Sequence, residues 1–170
     1  MAIRNPGDLP ALLRPGQRLL GLDLGTKTIG LALSDPGLRV ASPIGTISRT
    51  KFSADVRELA TVIGERQVGA LVLGLPLNMD GSVGPAVQRV RQFATLLLQQ
   101  TEFMERIGFE PEIAFWDERL STSVVTRLMI EADMTRKRRA EVVDRMAAAY
   151  ILQGALDALN YRCQDPSDRC

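Results

Sequence analysis

Acidic side chains are the groups of this 170-residue chain best suited to chemistry, because the sequence contains no histidine. Without histidine, a Ser-His-Asp triad, a Cys-His pair and a histidine-ligated zinc site are all excluded. The two cysteines, Cys163 and Cys170, lie in a polar C-terminal stretch. Two cysteines without histidine are too few to predict a structural zinc site. They are read as inert thiols of a reducing compartment in preference to a reversible disulfide. Acid–base or metal chemistry must therefore rest mainly on carboxylates.

Asp23 lies within LLGLDLGTKTIGLALSD, residues 19–35, an almost wholly apolar stretch. Two short apolar runs joined by a glycine-containing turn predict a β-hairpin, with Asp23 near the end of a central strand. An isolated carboxylate buried there would cost several kcal/mol unless a positive group met it. Asp23 could brace the turn at Gly25 and Thr26 through backbone hydrogen bonds, or it could hold a cation. This stretch alone leaves both readings open.

The rest of the chain predicts a sheet that positions this acid. Alternating and continuous apolar runs predict strands within 18–34 (two strands) and at 40–48, 68–75 and 112–116. Helical spacing predicts helices at 53–66, 85–106, 124–131 and 136–159. The resulting order, β-β-β-α-β-α-β-α-α, is that of an α/β RNase H-like fold. It implies a five-stranded mixed sheet, three strands antiparallel and then two parallel, flanked by helices.

The ends of the chain are predicted to lie outside this domain. We interpret residues 1–17 as a flexible N-terminal leader, residues 18–159 as one RNase H-like domain and residues 160–170 as a polar C-terminal tail. The leader contains proline and glycine where a signal peptide needs a continuous apolar segment, and no run of about 18 apolar residues follows. The sequence therefore predicts a cytoplasmic protein without a membrane span.

Three acids are predicted to converge at one edge of this sheet. Asp23 ends the first strand, and Glu118 follows the fifth strand, so both lie at carboxyl ends of strands that run the same way. Asp144 shares one face of the last helix with small and apolar residues, which aims it at the sheet. That face carries Ala148, Ile151 and Ala155. Each acid also has an ordinary explanation. Glu118 could pair with Arg119 or favour a helix N-terminus, and Asp144 could be a boundary acid.

Converging carboxylates without histidine favour divalent metal. Oxygen ligands suit Mg²⁺ or Mn²⁺, and two such ions can activate water and stabilise the leaving oxygen of a phosphodiester. The sequence therefore predicts metal-dependent cleavage of nucleic acid. A run of four bases would hold flanking phosphates, unless it is simply a solvated helix start. These bases are Arg136, Lys137, Arg138 and Arg139.

Four segments together resemble one bacterial family, the Holliday junction resolvase-like pre-16S rRNA nucleases. They are GLDLGTKTIGLALSD, GLPLNMDGSVGP, WDERLST and KRRAEVVDRMAAAYILQ, in that order over residues 18–157. The resemblance implies an RNase H-like fold, a cytoplasmic location and processing of the 5′ end of pre-16S rRNA. It implies Asp23, Glu118 and Asp144 as catalytic acids and metal ligands, and Lys27, Asn78 and Arg119 as substrate contacts. Related enzymes resolve four-way DNA junctions as dimers, and the motifs do not decide whether this chain forms a homodimer.

Two other functions compete with the nuclease. The DLGT segment also resembles the phosphate loop of actin-like ATPases and sugar kinases, but 170 residues leave room for only one of their two halves. A non-catalytic RNA- or ribosome-associated adaptor would keep the fold without needing three converging acids. Aromatic residues make up 5% of the chain, so nucleic acid should be held through phosphates more than by base stacking.

Overall fold

The computed structural model describes the backbone of residues 3–120 and 136–162 and the side chains of residues 3–119 and 146–162. Several predicted features lie outside the described residues. These are the helix at 124–131, Cys163 and Cys170, and the side chains of Asp144, Arg136, Lys137, Arg138 and Arg139.

The described backbone contains strands β1 (Ile3–Arg4), β2 (Arg18–Leu24), β3 (Thr28–Ser34), β4 (Ala41–Ser48), β5 (Val68–Leu75) and β6 (Glu112–Asp117). Its α-helices are α1 (Leu9–Leu12), α2 (Phe52–Glu65), α3 (Pro85–Leu98), α4 (Thr101–Ile107) and α5 (Arg136–Arg162). Single 3-10 turns cover Pro6–Asp8 and Glu118–Leu120. The helix predicted at 85–106 is divided into α3 and α4, because the chain leaves the helix at Gln99 and Gln100. None of the helices in these ranges is long and apolar enough to cross a membrane.

One mixed sheet joins the strands in the order β1-β6-β5-β2-β3-β4. β3 is antiparallel to both β2 and β4, whereas β5 and β6 are parallel to β2. The predicted arrangement of three antiparallel and two parallel strands is confirmed. Because two antiparallel steps restore direction, β4 also runs the same way as β2. The carboxyl ends of β2, β4, β5 and β6 therefore share one side of the sheet, which we call the carboxyl edge.

The sheet has six strands, so the predicted number of five is wrong by one. β1 pairs in parallel with β6, in the register Ile3–Ile113 and Arg4–Ala114, and Arg4 Nε lies 2.8 Å from Glu112 Oε2. A two-residue strand has no periodicity to detect, which is why the sequence did not indicate it. Residues 3–12 belong to the folded body, in contrast to the flexible leader expected over residues 1–17.

The sheet separates two apolar layers, and alternation along each strand decides which layer a side chain joins. Leu20 and Leu22 of β2 pack with residues of α2, α3 and α4. Leu19 packs on the opposite face, with Ala148 and Leu152 of α5. The predicted helix face is confirmed in its described part, since Ala148, Ile151 and Ala155 are all buried.

The two ends of the described chain pack against each other. A Cβ atom added to Gly7 would lie 2.5 Å from Nη1 of Arg162, so the last residue of α5 lies directly over the N-terminal 3-10 turn. Asn160 Nδ2 donates to Leu38 O at 3.0 Å. α5 therefore continues to Arg162 as part of the fold, three residues beyond the predicted helix end at 159.

Leu9→Ala is expected to destabilise the protein by about 2–5 kcal/mol, because Leu9 is fully buried and the substitution leaves a cavity between the N-terminal segment and α5. Urea unfolding at equilibrium measures this. Leu12→Ala, three residues away on a side chain that is 44% exposed, is the matched control and should change stability by less than about 0.5 kcal/mol. Equal effects of the two substitutions would contradict the packing of the segment.

Candidate active site

Asp23 faces α5 because of its place in β2. It follows Leu19 and Gly21 on the same face of the strand, and it pairs with Gly30 of β3 at the carboxyl edge. The side chain is half-buried, one residue before the strand ends at Leu24. The prediction of an acid near the end of a central strand is confirmed.

Gly21 lets α5 lie directly on the sheet beside this acid. A Cβ atom added to Gly21 would lie 2.8 Å from Leu152 Cβ and 3.0 Å from Ala148 O. α5 runs antiparallel to β2. Asn160, near the C-terminal end of α5, contacts Leu38 in the loop after β3, and the end of β3 lies at the start of β2, where Leu19 N donates to Ser34 Oγ. The helix backbone therefore continues from Ala148 toward the carboxyl edge.

The backbone of α5 brings residue 144 to the level of Asp23. Asp144 precedes Ala148 by four residues, a rise of about 6 Å along the helix. Asp23 follows Gly21 by two residues, a rise of about 7 Å along the strand in the same direction. The position of the Asp144 carboxylate lies outside the described side chains and stays a prediction.

Glu118 folds back from the end of β6 over β5. Gly74 of β5 pairs with Trp116, and a Cβ atom added to Gly74 would overlap Oε1 of Glu118 and lie 2.5 Å from Cδ1 of Ile151. The space left by the missing side chain is therefore filled by the Glu118 carboxylate on one side and by α5 on the other. This places Glu118 over β5, next to the strand that carries Asp23.

Asp23 and Glu118 lie close enough for their charges to interact. The pKa of Glu118 is raised from 4.5 to about 7, first by burial and then by the negative charges of Asp23 and Asp117. A proton or a bound cation can stabilise a buried carboxylate that lies beside another negative charge.

The donor set fits a divalent ion. Asp23 and Glu118 supply carboxylate oxygens, which are the ligands that Mg²⁺ and Mn²⁺ prefer. Asp144 would complete the set from the facing helix. A cation bound between the two carboxylates would offset the repulsion that contributes to the raised pKa of Glu118.

Arg119 makes a close ion pair with Asp117. Its Nη2 lies 2.6 Å from Asp117 Oδ2, and its Nε lies 3.0 Å from Asp117 Oδ1. This pair lowers the pKa of Asp117 and raises that of Arg119. Arg119 Nη1 also lies beside Gly81. The side chain predicted as a substrate contact thus links the end of β6 to the loop over residues 76–84.

The Asn78 side chain is engaged in a hydrogen bond within its own loop, whereas the Lys27 side chain is exposed. Asn78 Nδ2 donates to Ser82 Oγ at 2.8 Å, and its backbone N donates to Ser82 O at 3.1 Å, so Asn78 closes its own loop. Lys27 is exposed in the turn that follows Asp23, at the carboxyl edge. The four bases at 136–139 stay a prediction, since their side chains are not among those described.

Arg49 is a residue at this edge that the sequence reading missed. It follows Ser48 at the end of β4, and its Nη1 donates to Gly25 O at 2.7 Å, two residues after Asp23. The signal was available, because β4 runs in the same direction as β2 and its carboxyl end falls at the same edge. The rule that located Glu118 would also have located Arg49.

Gly74→Ala is expected to lower any cleavage activity by about 10²-fold, because the new methyl group displaces the Glu118 carboxylate. Stability should also fall, by about 1–3 kcal/mol, as Ile151 is pushed away. Gly64→Ala in α2 is the matched control: apart from the backbone of its own helix, the described residues leave open space within 4 Å of the added Cβ, and activity should not change. Wild-type cleavage by the Gly74 variant, measured under single-turnover conditions, would contradict this placement of Glu118.

The sequence model of one family, described as "RuvX: Holliday junction resolvase", matches residues 17–158. A protein of Rhodospirillum centenum named "Putative pre-16S rRNA nuclease" is 67% identical over 159 residues, covering 94% of this chain and 83% of its own length. A protein of Paramagnetospirillum magneticum with the same name is 57% identical over 157 residues, covering 92% of this chain and 96% of its own.

Two solved structures share the fold at low sequence identity. RuvC of Thermus thermophilus, in complex with a Holliday junction substrate, superposes with a TM-score of 0.50 at 13% identity and covers 84% of this chain and 94% of its own. The yeast mitochondrial Holliday junction resolvase Ydc2 gives a TM-score of 0.50 at 12% identity and covers 92% of this chain and 85% of its own. The predicted RNase H-like architecture is thereby confirmed.

Proposed function

Because this chain belongs to the RuvX family of Holliday junction resolvases, we propose that it is a divalent-metal-dependent endonuclease that processes the 5′ end of pre-16S rRNA. Membership of this family indicates a nuclease with an RNase H-like fold. The choice of RNA is supported by relatives at 67% and 57% identity that are named for pre-16S rRNA. The bacterial cytoplasm is the compartment in which such a precursor is processed.

One observation carries the proposed chemistry: Glu118 lies over Gly74, close enough to Asp23 for that charge to raise the pKa of Glu118. Two acids held so close are costly to the fold. A non-catalytic adaptor gains nothing from this cost, which argues against that alternative.

Asp23 and Glu118 would hold the metal, with Asp144 as the third ligand. Bound Mg²⁺ or Mn²⁺, as a pair of ions, supplies activation of a water molecule and neutralisation of charge on the leaving oxygen of a phosphodiester. The protein contributes rigid placement. Asp23 is fixed by pairing in the sheet, and Glu118 is confined between β5 and α5. Lys27 lies exposed beside them for the substrate backbone.

Resolution of four-way DNA junctions is the second candidate, favoured by the family description and by the shared fold of the two resolvases. A homodimer would support it, since two copies can cut a junction symmetrically.

A side-by-side assay separates these candidates. Purified protein is titrated with Mg²⁺ and with Mn²⁺ on a pre-16S rRNA 5′ leader and on a synthetic four-way DNA junction. We expect metal-dependent cleavage of the RNA at a defined position, at a higher kcat/KM than on the junction. Preferred, paired cuts in the junction would favour a dimeric resolvase. Binding to RNA with no cleavage under any metal would favour the adaptor.

A further inference from the structure

Two cations end the β3–β4 ladder at the carboxyl edge. Arg49 N donates to Lys27 O at 2.8 Å, one step beyond the paired residues Thr28 and Ser48. The two residues are thus opposed across the end of an antiparallel pair, where like charges destabilise each other. An anion bound between them would remove that repulsion.

Arg49 is held in place by its neighbours and still reaches solvent. Its Nη1 donates to Gly25 O at 2.7 Å, and its Nε lies 4.0 Å from Oδ2 of Asp55. Asp55 is itself only 3% exposed and accepts a hydrogen bond from Thr50 N at 3.0 Å. The Arg49 side chain remains 27% exposed. A guanidinium has five N–H donors, so the contact with Gly25 leaves donors for a ligand.

Arg49 lies close to the acidic site in the folded chain. Gly25 follows Asp23 by two residues, so the guanidinium lies beside the turn that leaves the acidic site. On the other flank, Arg119 is neutralised by the close pair with Asp117. Among the residues whose side chains are described, the flank at β3 and β4 carries Lys27, Arg49 and Lys51 close to the buried acid Asp55. Within that part of the chain, the excess positive charge next to the acids therefore lies on the β4 side.

We propose that Arg49, with Lys27 opposite it, binds a backbone phosphate of the nucleic-acid strand next to the phosphate that is cut. This rests on the proposed nuclease function and adds the path of the substrate, which crosses the β3–β4 end of the carboxyl edge. Arginine suits this place because its planar fork can bind a phosphate with two donors while its geometry is fixed. Such a contact sets the register of the strand and does not read its sequence.

Binding is measured in an Asp23→Asn background, which holds the substrate without cutting it, by fluorescence anisotropy of the labelled RNA leader and four-way junction across a salt series. Arg49→Gln should weaken binding about 10-fold near 0.1 M salt and reduce the slope of log K against log salt by about 1. Lys27→Gln should also reduce the slope, and Arg49→Lys should largely retain it. Arg57→Gln is the matched control, since Arg57 lies on α2 and pairs with Glu102.

Each outcome decides the inference. If the parent protein binds and neither Arg49→Gln nor Lys27→Gln changes affinity or slope, the phosphate site is overturned. If Arg49→Gln slows cleavage in the wild-type background without changing affinity or slope, Arg49 acts only through Gly25, and the site is also overturned. If the parent binds no nucleic acid, the proposed function fails as well, which distinguishes the two failures. Lys27→Gln, in an exposed turn, keeps the test valid should Arg49→Gln not fold.

Discussion

Asp23→Asn is expected to abolish metal-dependent cleavage, by at least about 10³-fold or roughly 4 kcal/mol in the barrier, with the fold unchanged. Asparagine keeps the size of the side chain but removes the charge that we propose holds a cation next to Glu118. The loss should appear in kcat with little change in substrate binding, because the substituted group is a proposed metal ligand and carries no positive charge for phosphate. Single-turnover cleavage measures the loss of rate, and circular dichroism shows whether the fold is unchanged.

Asp8→Asn is the control for this substitution. It makes the same chemical change at an exposed position in the N-terminal 3-10 turn. Cleavage by this variant should equal that of the wild type. An Asp23→Asn protein that cuts as fast as the Asp8→Asn protein would refute the acid site.

Glu118→Gln is expected to stabilise the metal-free protein above neutral pH while abolishing cleavage. The pKa of Glu118 is about 7 in the folded protein and about 4.5 when unfolded. Between these values the folded state binds more protons, so stability falls as pH rises from about 4.5 to about 7 and then stays low. Glutamine does not ionise and escapes this loss. The variant should therefore melt about 3–6 °C above the wild type at pH 8 and equal it near pH 4.5.

Thermal unfolding in chelator and in Mg²⁺ tests both halves of this prediction. Added Mg²⁺ should raise the melting temperature of the wild type at pH 8, because the ion binds only the folded site. The Glu118→Gln protein should gain less. Glu105→Gln, at an exposed position on α4, is the control and should follow the wild type at every pH. A variant that is less stable than the wild type at pH 8 without metal would contradict the crowding of acids.

The sheet was largely predictable, because its apolar runs have few alternative structures. β5 has the predicted bounds, Val68–Leu75, since a continuous apolar run bounded by turns fits a strand covered on both faces. The meeting of Asp23 and Glu118 was predictable for the same reason, since parallel strands end at a common edge. The position of the third carboxylate, that of Asp144, stays a prediction, although the backbone of α5 brings residue 144 to the level of Asp23.

Other features depend on contacts that spacing does not reveal. β1 is too short for a pattern, and its pairing with β6 and the burial of Leu9 are visible only in the folded structure. Gly74 could equally have been a weak position in a strand, and only the folded structure shows Glu118 filling its space. The ion pair that Arg119 makes with Asp117 is likewise visible only in the folded structure, and its role as a substrate contact stays a prediction.

α5 packs against the N-terminal segment through Arg162 and also carries Asp144 toward the carboxyl edge. One end of this 27-residue helix is held by the N-terminal segment, and the other end carries Asp144, 18 residues or about 27 Å away. A helix is stiff over that distance, so a displacement at the anchored end becomes a change of tilt at the acidic end. Removal of the N-terminal segment is thus expected to alter the catalytic rate without changing any group at the carboxyl edge.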